Sequence, residues 1–338
     1  MKAVLLTPER TLELADRAVP DEDPDAVLLQ VELCGICGTD LHAAELGDLF
    51  APPVVLGHEF TARVVAVGAR VASCRVGDRV VVNPIALVCG ACGPCLAGLP
   101  NQCIQALSSD CVGVGRDGGM AEYVSLDPAY LRPLPEDLPA AVGAWTEPLA
   151  VAVRGVHRGN LRAKDRITIL GAGPIGQLTL QTALAYGARN IMVVESSSHR
   201  RNIALTCGAS GASAPGDVDD VRGEYDVVFD CAGAPTTLDA AIRVVSSHGR
   251  VVVIGTNAGH TPLRERMSAH LKEVNITFSI CYASVEFDAA IELLRDGRVD
   301  VGPLTTRIAA IDDYAAAFAE MRNPEASVKV LVAPVGMS

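Results

Sequence analysis

The chain has 338 residues, 49% of them apolar and 20% charged, a globular composition with room for one large domain or two ordinary ones. A net charge of −12 and a pI near 5.0 exclude a nucleic-acid partner, because neutralising phosphates needs a surplus of Lys and Arg. No apolar run reaches the ~18 residues that cross a bilayer, and no leader-like apolar stretch follows Met1, so no membrane partner is expected and the cytoplasm is the expected compartment.

Through about residue 145 the chain reads as all-β. The runs Val27–Val31, Ala62–Val67 and Arg79–Val82 are short and apolar, with Gly68, Gly77-Asp78 and Pro84 between them, a pattern that suits a small barrel or sandwich. Chemistry-bearing residues are unevenly placed within this region. Cys89, Cys92, Cys95 and Cys103 have C-x2-C-x2-C-x7-C spacing. In a reducing compartment clustered thiols read as metal ligands before disulfides. Four thiolates make a closed tetrahedral zinc site, which is structural; an iron–sulfur cluster is the competing reading. Cys37-Gly38-Thr39-Asp40-Leu41-His42 and Gly57-His58-Glu59 offer a second, open site. There Cys37, His58 and a carboxylate, Glu59 or Glu147, leave one position for a substrate oxygen. Zinc so held lowers the pKa of an alcohol, and the alkoxide can give hydride to a nicotinamide. Each residue alone reads more readily as a core or surface residue. Their joint occurrence ahead of a dinucleotide fold gives them weight.

After Pro148 the pattern becomes alternating strands and helices. Strands are predicted at Ile167–Leu170, Ile191–Val194, Tyr225–Phe229 and Arg250–Ile254, and helices at Ile175–Tyr186, Ser198–Cys207 and Thr236–Val245. This alternation predicts a doubly wound parallel sheet buried on both faces. Gly171-Ala172-Gly173-Pro174-Ile175-Gly176 joins the first strand to its helix as G-x-G-x-x-G. Gly171 permits the turn, Gly173 lets the backbone approach a pyrophosphate, and Gly176 lets helix and strand pack. The helix N-terminus, opening at Pro174 and Ile175, offers free N–H groups to the phosphates. Glu195 ends the second strand, where a carboxylate accepts from ribose hydroxyls and repels a 2′-phosphate, favouring NAD over NADP. Arg200 and Arg201 pull the other way. From about Ala283 the tail holds two helical patterns, Glu286–Arg295 and Asp312–Met321, and a strand, Val328–Val332. The tail is expected to return to the first domain. The expected partition is 1–148 catalytic, 149–282 dinucleotide-binding and 283–338 return.

On these motifs the chain resembles the zinc-containing medium-chain dehydrogenases/reductases, the alcohol dehydrogenase family, and within them the sorbitol and threonine dehydrogenase branch. The resemblance spans nearly the full length. It implies an α/β plus all-β architecture: a GroES-like β-barrel catalytic domain, a doubly wound parallel-sheet Rossmann domain, and an active site between them. It implies two zinc ions, one catalytic and one structural, with NAD as cofactor. Cys37 and His58 are then zinc ligands. Thr39 takes the substrate proton, His42 passes it to solvent through the nicotinamide ribose, and Asp40 orients a ligand. Glu147-Pro148-Leu149 stands where simple alcohol dehydrogenases carry a third Cys, so either Glu59 or Glu147 completes the site, and both can exchange in turnover. Asp230–Gly233, with Ala232, and Val253–Thr256, with Gly255, fall beside the nicotinamide. Relatives are homodimers or homotetramers. The implied reaction is NAD-linked oxidation of a secondary alcohol on a polyol, sugar, cyclitol or aminoglycoside-type substrate. A threonine-like 3-hydroxy amino acid is the nearest alternative. A zinc-free enoyl or quinone reductase is opposed by Cys37, His58 and the four-cysteine lobe, and a non-catalytic NAD-binding sensor by the complete catalytic set. Ser108–Cys111 and Ser279–Val285, segments that usually face the substrate, carry no obvious polyol-branch signature.

Overall fold

The structure, a computed structural model, describes residues 1–46, 49–218, 223–256 and 262–336. Its first region is built of two sheets. A hairpin of Lys2–Leu6 and Leu12–Asp16 joins Val54–Val55 in a three-stranded sheet. A seven-stranded sheet runs in the order Thr305–Ala310, Lys329–Ala333, Val27–Gly35, Glu59–Val67, Arg79–Val82, Leu131–Pro133, with Tyr123–Leu126 also paired to Val27–Gly35. Val27, Leu29 and Val31 are buried while Leu28, Gln30 and Glu32 are partly exposed, the period-two alternation of a strand with one face on a core. Those inward residues meet Val4, Leu6, Phe60, Val80 and Val330 in one apolar cluster. The strand Lys329–Ala333 pairs antiparallel with Val27–Gly35, setting Leu331 opposite Gly35 and Val332 opposite Cys34. The far end of the chain is thus an integral strand of the first sheet.

The middle of the chain folds into six parallel strands in the order Gly211–Ser213, Asn190–Val194, Arg166–Leu170, Tyr225–Asp230, Val245–Val253, Asn275–Phe278. Both faces are covered. Val227 and Phe229 point into one core with Ile167, Leu180 and Val193. Val228 points into another with Ala241 and Val251. Strand order reverses between Arg166–Leu170 and Tyr225–Asp230, and ligands bind doubly wound sheets in the crevice at that switch.

Several elements differ from the sequence pattern. The helix Thr146–Gly159 runs straight through Pro148, because the first turn of a helix has no intrahelical use for the N–H that proline lacks. Glu147 is thereby fixed in that first turn. The edge strand Asn275–Phe278 is short and only partly buried, and its sequence gave no clear period. The last helix begins at Tyr314 after a 3-10 turn at Ile311–Asp313. A fourth apolar cluster, with Trp145, Leu149, Val153, Leu178, Phe287 and Leu304, joins the first region to the parallel sheet's helices. Among the described residues no helix is long and apolar enough to cross a membrane.

Phe229 is fully buried, and its ring tip lies against Gly159, where an added Cβ would come within 2.8 Å. Phe229→Ala leaves a cavity there and is expected to cost about 3–5 kcal/mol. A chemical denaturation midpoint equal to the parent's would refute this account of the sheet–helix interface.

Candidate catalytic and cofactor site

Two segments of the first region converge on one point. Cys37 caps the short helix Gly38–Leu41, and His58 and Glu59 open the strand Glu59–Val67. One ligand atom from each of Cys37, His58 and Glu59 lies within 4.8 Å of the others. Asp40, wholly buried, ties the loops together. Its Oδ2 accepts from the Cys37 N–H at 2.8 Å and its Oδ1 from the Gly57 N–H at 3.3 Å. Oδ1 also stands 3.7 Å from His58 Nδ1. Thr39 Oγ1 lies 3.6 Å from Cys37 Sγ. His42 is exposed and faces Glu45 at 2.9 Å.

This set fits a cation. His58 Nδ1 is buried without a hydrogen-bond partner. Burial opposes charge on His58, yet Asp40, Cys37 and Glu147 outweigh it and hold the imidazole pKa well above its ordinary value. A thiol, an imidazole and a carboxylate converging on one point are the donor set of an open zinc site. Glu147 lies near this set but outside the close cluster. Burial pushes its carboxyl up to about 7; His58 pulls it down, Glu59 raises it further, and Tyr282 and Lys329 lower it.

Lys329 is a site neighbour that the motif reading passed over. It is 1% exposed, ion-paired with Glu59, and its Nζ sits 5.7 Å from the centre of the Trp145 ring. A buried ammonium needs such partners. The available signal was one of only four lysines in the chain standing inside the apolar run Val328–Val332.

The second donor set is the lobe of Cys89, Cys92, Cys95 and Cys103, whose sulfurs also lie within 4.8 Å of one another. The Cys89 N–H reaches Cys103 Sγ and the Cys92 N–H reaches Cys89 Sγ, each at 3.3 Å. Burial would raise the Cys103 thiol, but the amides of Ala106 and Cys89 bring it down to about 6. Backbone amides aimed at sulfur favour thiolates, the form that binds metal.

Between the regions lies a cleft of about 570 Å³, lined by Cys37, Thr39, Gly173, Ala232, Gly255 and Lys329 among others. His42, Glu59, Pro174 and Ile175 also line it, so the metal-type donors and the glycine turn share one space. Gly171 has φ +91°, open to glycine without strain. A Cβ on Gly176 would run into the Gly171 carbonyl oxygen, so the turn and its helix can close only on glycine. An adjoining cleft of about 460 Å³ includes Gly171, Glu195 and Ser196. Glu195 accepts from the Ala172 N–H at 2.7 Å, the Ser197 N–H at 2.9 Å and Ser196 Oγ at 3.0 Å. Arg200 and Arg201 are turned to main-chain carbonyls: Arg200 donates to Ser327 O at 2.8 and 3.0 Å, and Arg201 to Glu195 O and Ser196 O, each at 2.7 Å.

Comparison with known proteins agrees with this arrangement. The alcohol dehydrogenase GroES-like domain matches residues 23–136, and the zinc-binding dehydrogenase domain matches residues 174–296. The (R,R)-butanediol dehydrogenase of Bacillus subtilis is 33% identical, over 99% of this chain and 100% of its own length. The D-xylulose reductase A of Aspergillus niger is 31% identical, over 96% of this chain and 94% of its own. A Sinorhizobium meliloti protein described as a zinc-binding dehydrogenase, solved with NADP, superposes with a TM-score of 0.90 at 32% identity, covering 98% of this chain and 99% of that one.

Removing one thiol of the lobe by Cys95→Ser is expected to lower metal content from two zinc ions per chain to one and to lower the thermal midpoint, because a closed site contributes its binding energy to folding. Full metal content with unchanged melting would count against a metal there. Donor sets, glycine turn and relatives coincide along the whole chain, which belongs to the zinc-binding alcohol dehydrogenases, enzymes that use zinc and a nicotinamide cofactor.

Proposed function

We propose that this enzyme oxidises a secondary hydroxyl of a small polyol or sugar, cyclitol and aminoglycoside-type alcohols included, with NAD, and reduces the matching ketone in reverse. The observation that carries the proposal is the shared cleft, in which Cys37 and Glu59 face the glycine turn and Ala232. Cys37 and His58 hold the catalytic zinc with Glu59 or Glu147 as carboxylate, and Cys89, Cys92, Cys95 and Cys103 hold the structural one. A zinc ion held there would supply Lewis acidity to the substrate hydroxyl, and a nicotinamide in the cleft would supply the hydride acceptor. Thr39, beside Cys37, accepts the hydroxyl proton, and exposed His42 with Glu45 hands it to solvent. Asp40 keeps Cys37 and His58 in register through the bonds described above. Glu59 has two uses, metal ligand and partner of Lys329, which leaves Glu147 free to share the metal.

Glu195 faces the adenosine end of the cofactor site. Its fixed carboxylate supports NAD over NADP, and the engagement of both arginines with carbonyls supports the same choice. Arg200 lies near Gly173 and borders the pyrophosphate, with Pro174, Ile175 and Gly176 on the helix side and Gly255 beyond the nicotinamide. The names of the curated relatives, butanediol dehydrogenase and xylulose reductase, support a substrate with neighbouring oxygens. We assign 1–148 to a catalytic region, 149–282 to a dinucleotide-binding region and 283–338 to the return, a division supported by the chain's two large sheets. Exposed Met267, Leu271 and Phe278 beside the edge strand support a homodimer or homotetramer, acting in the cytoplasm.

Zinc-replete protein is expected to reduce NAD with members of a polyol and sugar panel. His58→Ala should abolish that turnover while NAD affinity, measured by calorimetry, stays near the parent's; an equal loss of both would show that the two sites are not separate. Glu195→Ala should raise the NADP-to-NAD ratio of kcat/KM on the order of tenfold, the equivalent of ~1.4 kcal/mol of relieved like-charge repulsion. An unchanged ratio removes Glu195 from cofactor choice.

A further inference from the structure

Arg200 stands where the glycine turn meets the segment that leads to Lys329. Its carbonyl accepts from Gln177 Nε2 at 2.9 Å. Gln177 is wholly buried and lies in the first turn of the helix that follows Gly173, so the backbone of Arg200 is tied to the phosphate-side helix. The guanidinium is divided between two neighbours. Nε and Nη2 both donate to Ser327 O, at 3.0 and 2.8 Å. Nη1 stands at Gly173, 3.6 Å from where a Cβ would lie, and it completes no hydrogen bond among the described residues. Burial lowers the pKa of the group, and Glu195 and Glu325 offset part of that. A guanidinium with one edge engaged and the other open suits an oxyanion, because its planar fork matches phosphate geometry.

Further bonds join the same two segments. Ser197, 1% exposed, donates from Oγ to Pro324 O at 2.8 Å, and Ser198 Oγ donates to Glu325 Oε2 at 3.2 Å. Ser197 also gives its N–H to Glu195, the carboxylate of the adenosine end. On the other side Ser327 is wholly buried. Its Oγ and the Val330 N–H both approach Met321 Sδ, at 3.6 and 3.1 Å, and the Val328 N–H donates to Thr306 Oγ1 at 3.0 Å. The segment is held from both sides, and Lys329 lies two residues beyond the carbonyl that Arg200 engages. Lys329 and Gly173 line one cleft.

We propose that Arg200 is a positioning residue shared between the cofactor's pyrophosphate and Ser327 O, so that filling the cofactor site tightens the strand that carries Lys329. The guanidinium is one rigid plane. An anion held on its Nη1 edge therefore fixes the Nε and Nη2 edge as well. Cofactor site and catalytic strand are then linked through one side chain, and such a coupling acts equally in both directions. This rests on the reading that Gly173 and Glu195 receive the dinucleotide.

The test uses purified, zinc-loaded protein and ADP-ribose, which has the adenosine and both phosphates but no nicotinamide. Calorimetry gives its affinity, and hydrogen exchange read by mass spectrometry gives the protection of residues 322–333 at saturating ADP-ribose. The parent should bind ADP-ribose and slow exchange in that segment. No binding removes the reading of the cofactor site, and the proposal with it; binding without added protection overturns the coupling alone. Arg200→Ala should weaken binding on the order of tenfold and, at saturation, lose the added protection. A merely structural role would speed exchange equally with and without ADP-ribose, so the ligand-dependent difference decides. Parental protection at saturation in Arg200→Ala overturns the link, because Lys329 would then be reached without it. Parental affinity in Arg200→Ala overturns the contact with the phosphates. Arg200→Lys keeps the charge with a single nitrogen in place of the fork; it should keep most of the affinity and lose the protection. A lysine that preserves both overturns the shared fork. Should Arg200→Ala fail to fold, Arg200→Lys still decides the coupling.

Discussion

Everything at the catalytic end of this enzyme depends on burying charge in one small space. Asp40, Glu59 and Glu147 are all at least nine-tenths buried, and so are His58 and Lys329. Three carboxylates and a thiol face one ammonium, Lys329, and an imidazole. Unbalanced negative charge in a low dielectric is expensive, and a divalent cation is the direct remedy. The site therefore holds, before any metal binds, an electrostatic demand for one. The raised pKa values of His58, Glu147 and Asp40 all express that demand, each group holding its proton more tightly than it would in water. Asp40 shows how the strain is contained. Burial raises its pKa, yet its two oxygens accept backbone N–H bonds from the loops bearing Cys37 and His58, so the same carboxylate that adds to the charge also fixes the geometry.

The fold supports this space from both ends of the chain. Lys329 arrives on the last strand, whose pairing with Val27–Gly35 makes it part of the first sheet. Glu147 arrives on a helix whose following residues belong to the cluster shared with Tyr282 and Phe287. Cofactor turn and metal donors face each other because the packing of that helix settles the separation of the two regions. The contacts of Arg200 with Ser327 O add a polar tie between the helix Ser198–Thr206 and the segment just before Lys329.

Much of this was legible in the amino-acid order, and the parts that were not share a cause. The glycine turn, the four-cysteine spacing and the Cys37 and His58 segments are local patterns whose chemistry follows from spacing. The parallel sheet was legible because its strands are buried on both faces and read as continuous apolar runs. The choice between Glu59 and Glu147 was not, since Glu59 is paired with Lys329, a residue from the far end of the chain that only folding brings to it. The helix through Pro148 was obscured because proline reads as a break unless its place in the first turn is known. The edge strand Asn275–Phe278 was obscured because a short, half-exposed strand carries little periodicity.

The chain has a single tryptophan, and its position gives the molecule an optical property. Trp145 is fully buried, held by its Nε1 donating to Thr305 Oγ1 at 2.9 Å, with the ammonium of Lys329 over its ring. A cation near an indole face shifts and quenches emission, and here that cation is the partner of Glu59. Excited apart from the six tyrosines, the tryptophan emission of this protein therefore comes from one place, beside the Glu59–Lys329 pair.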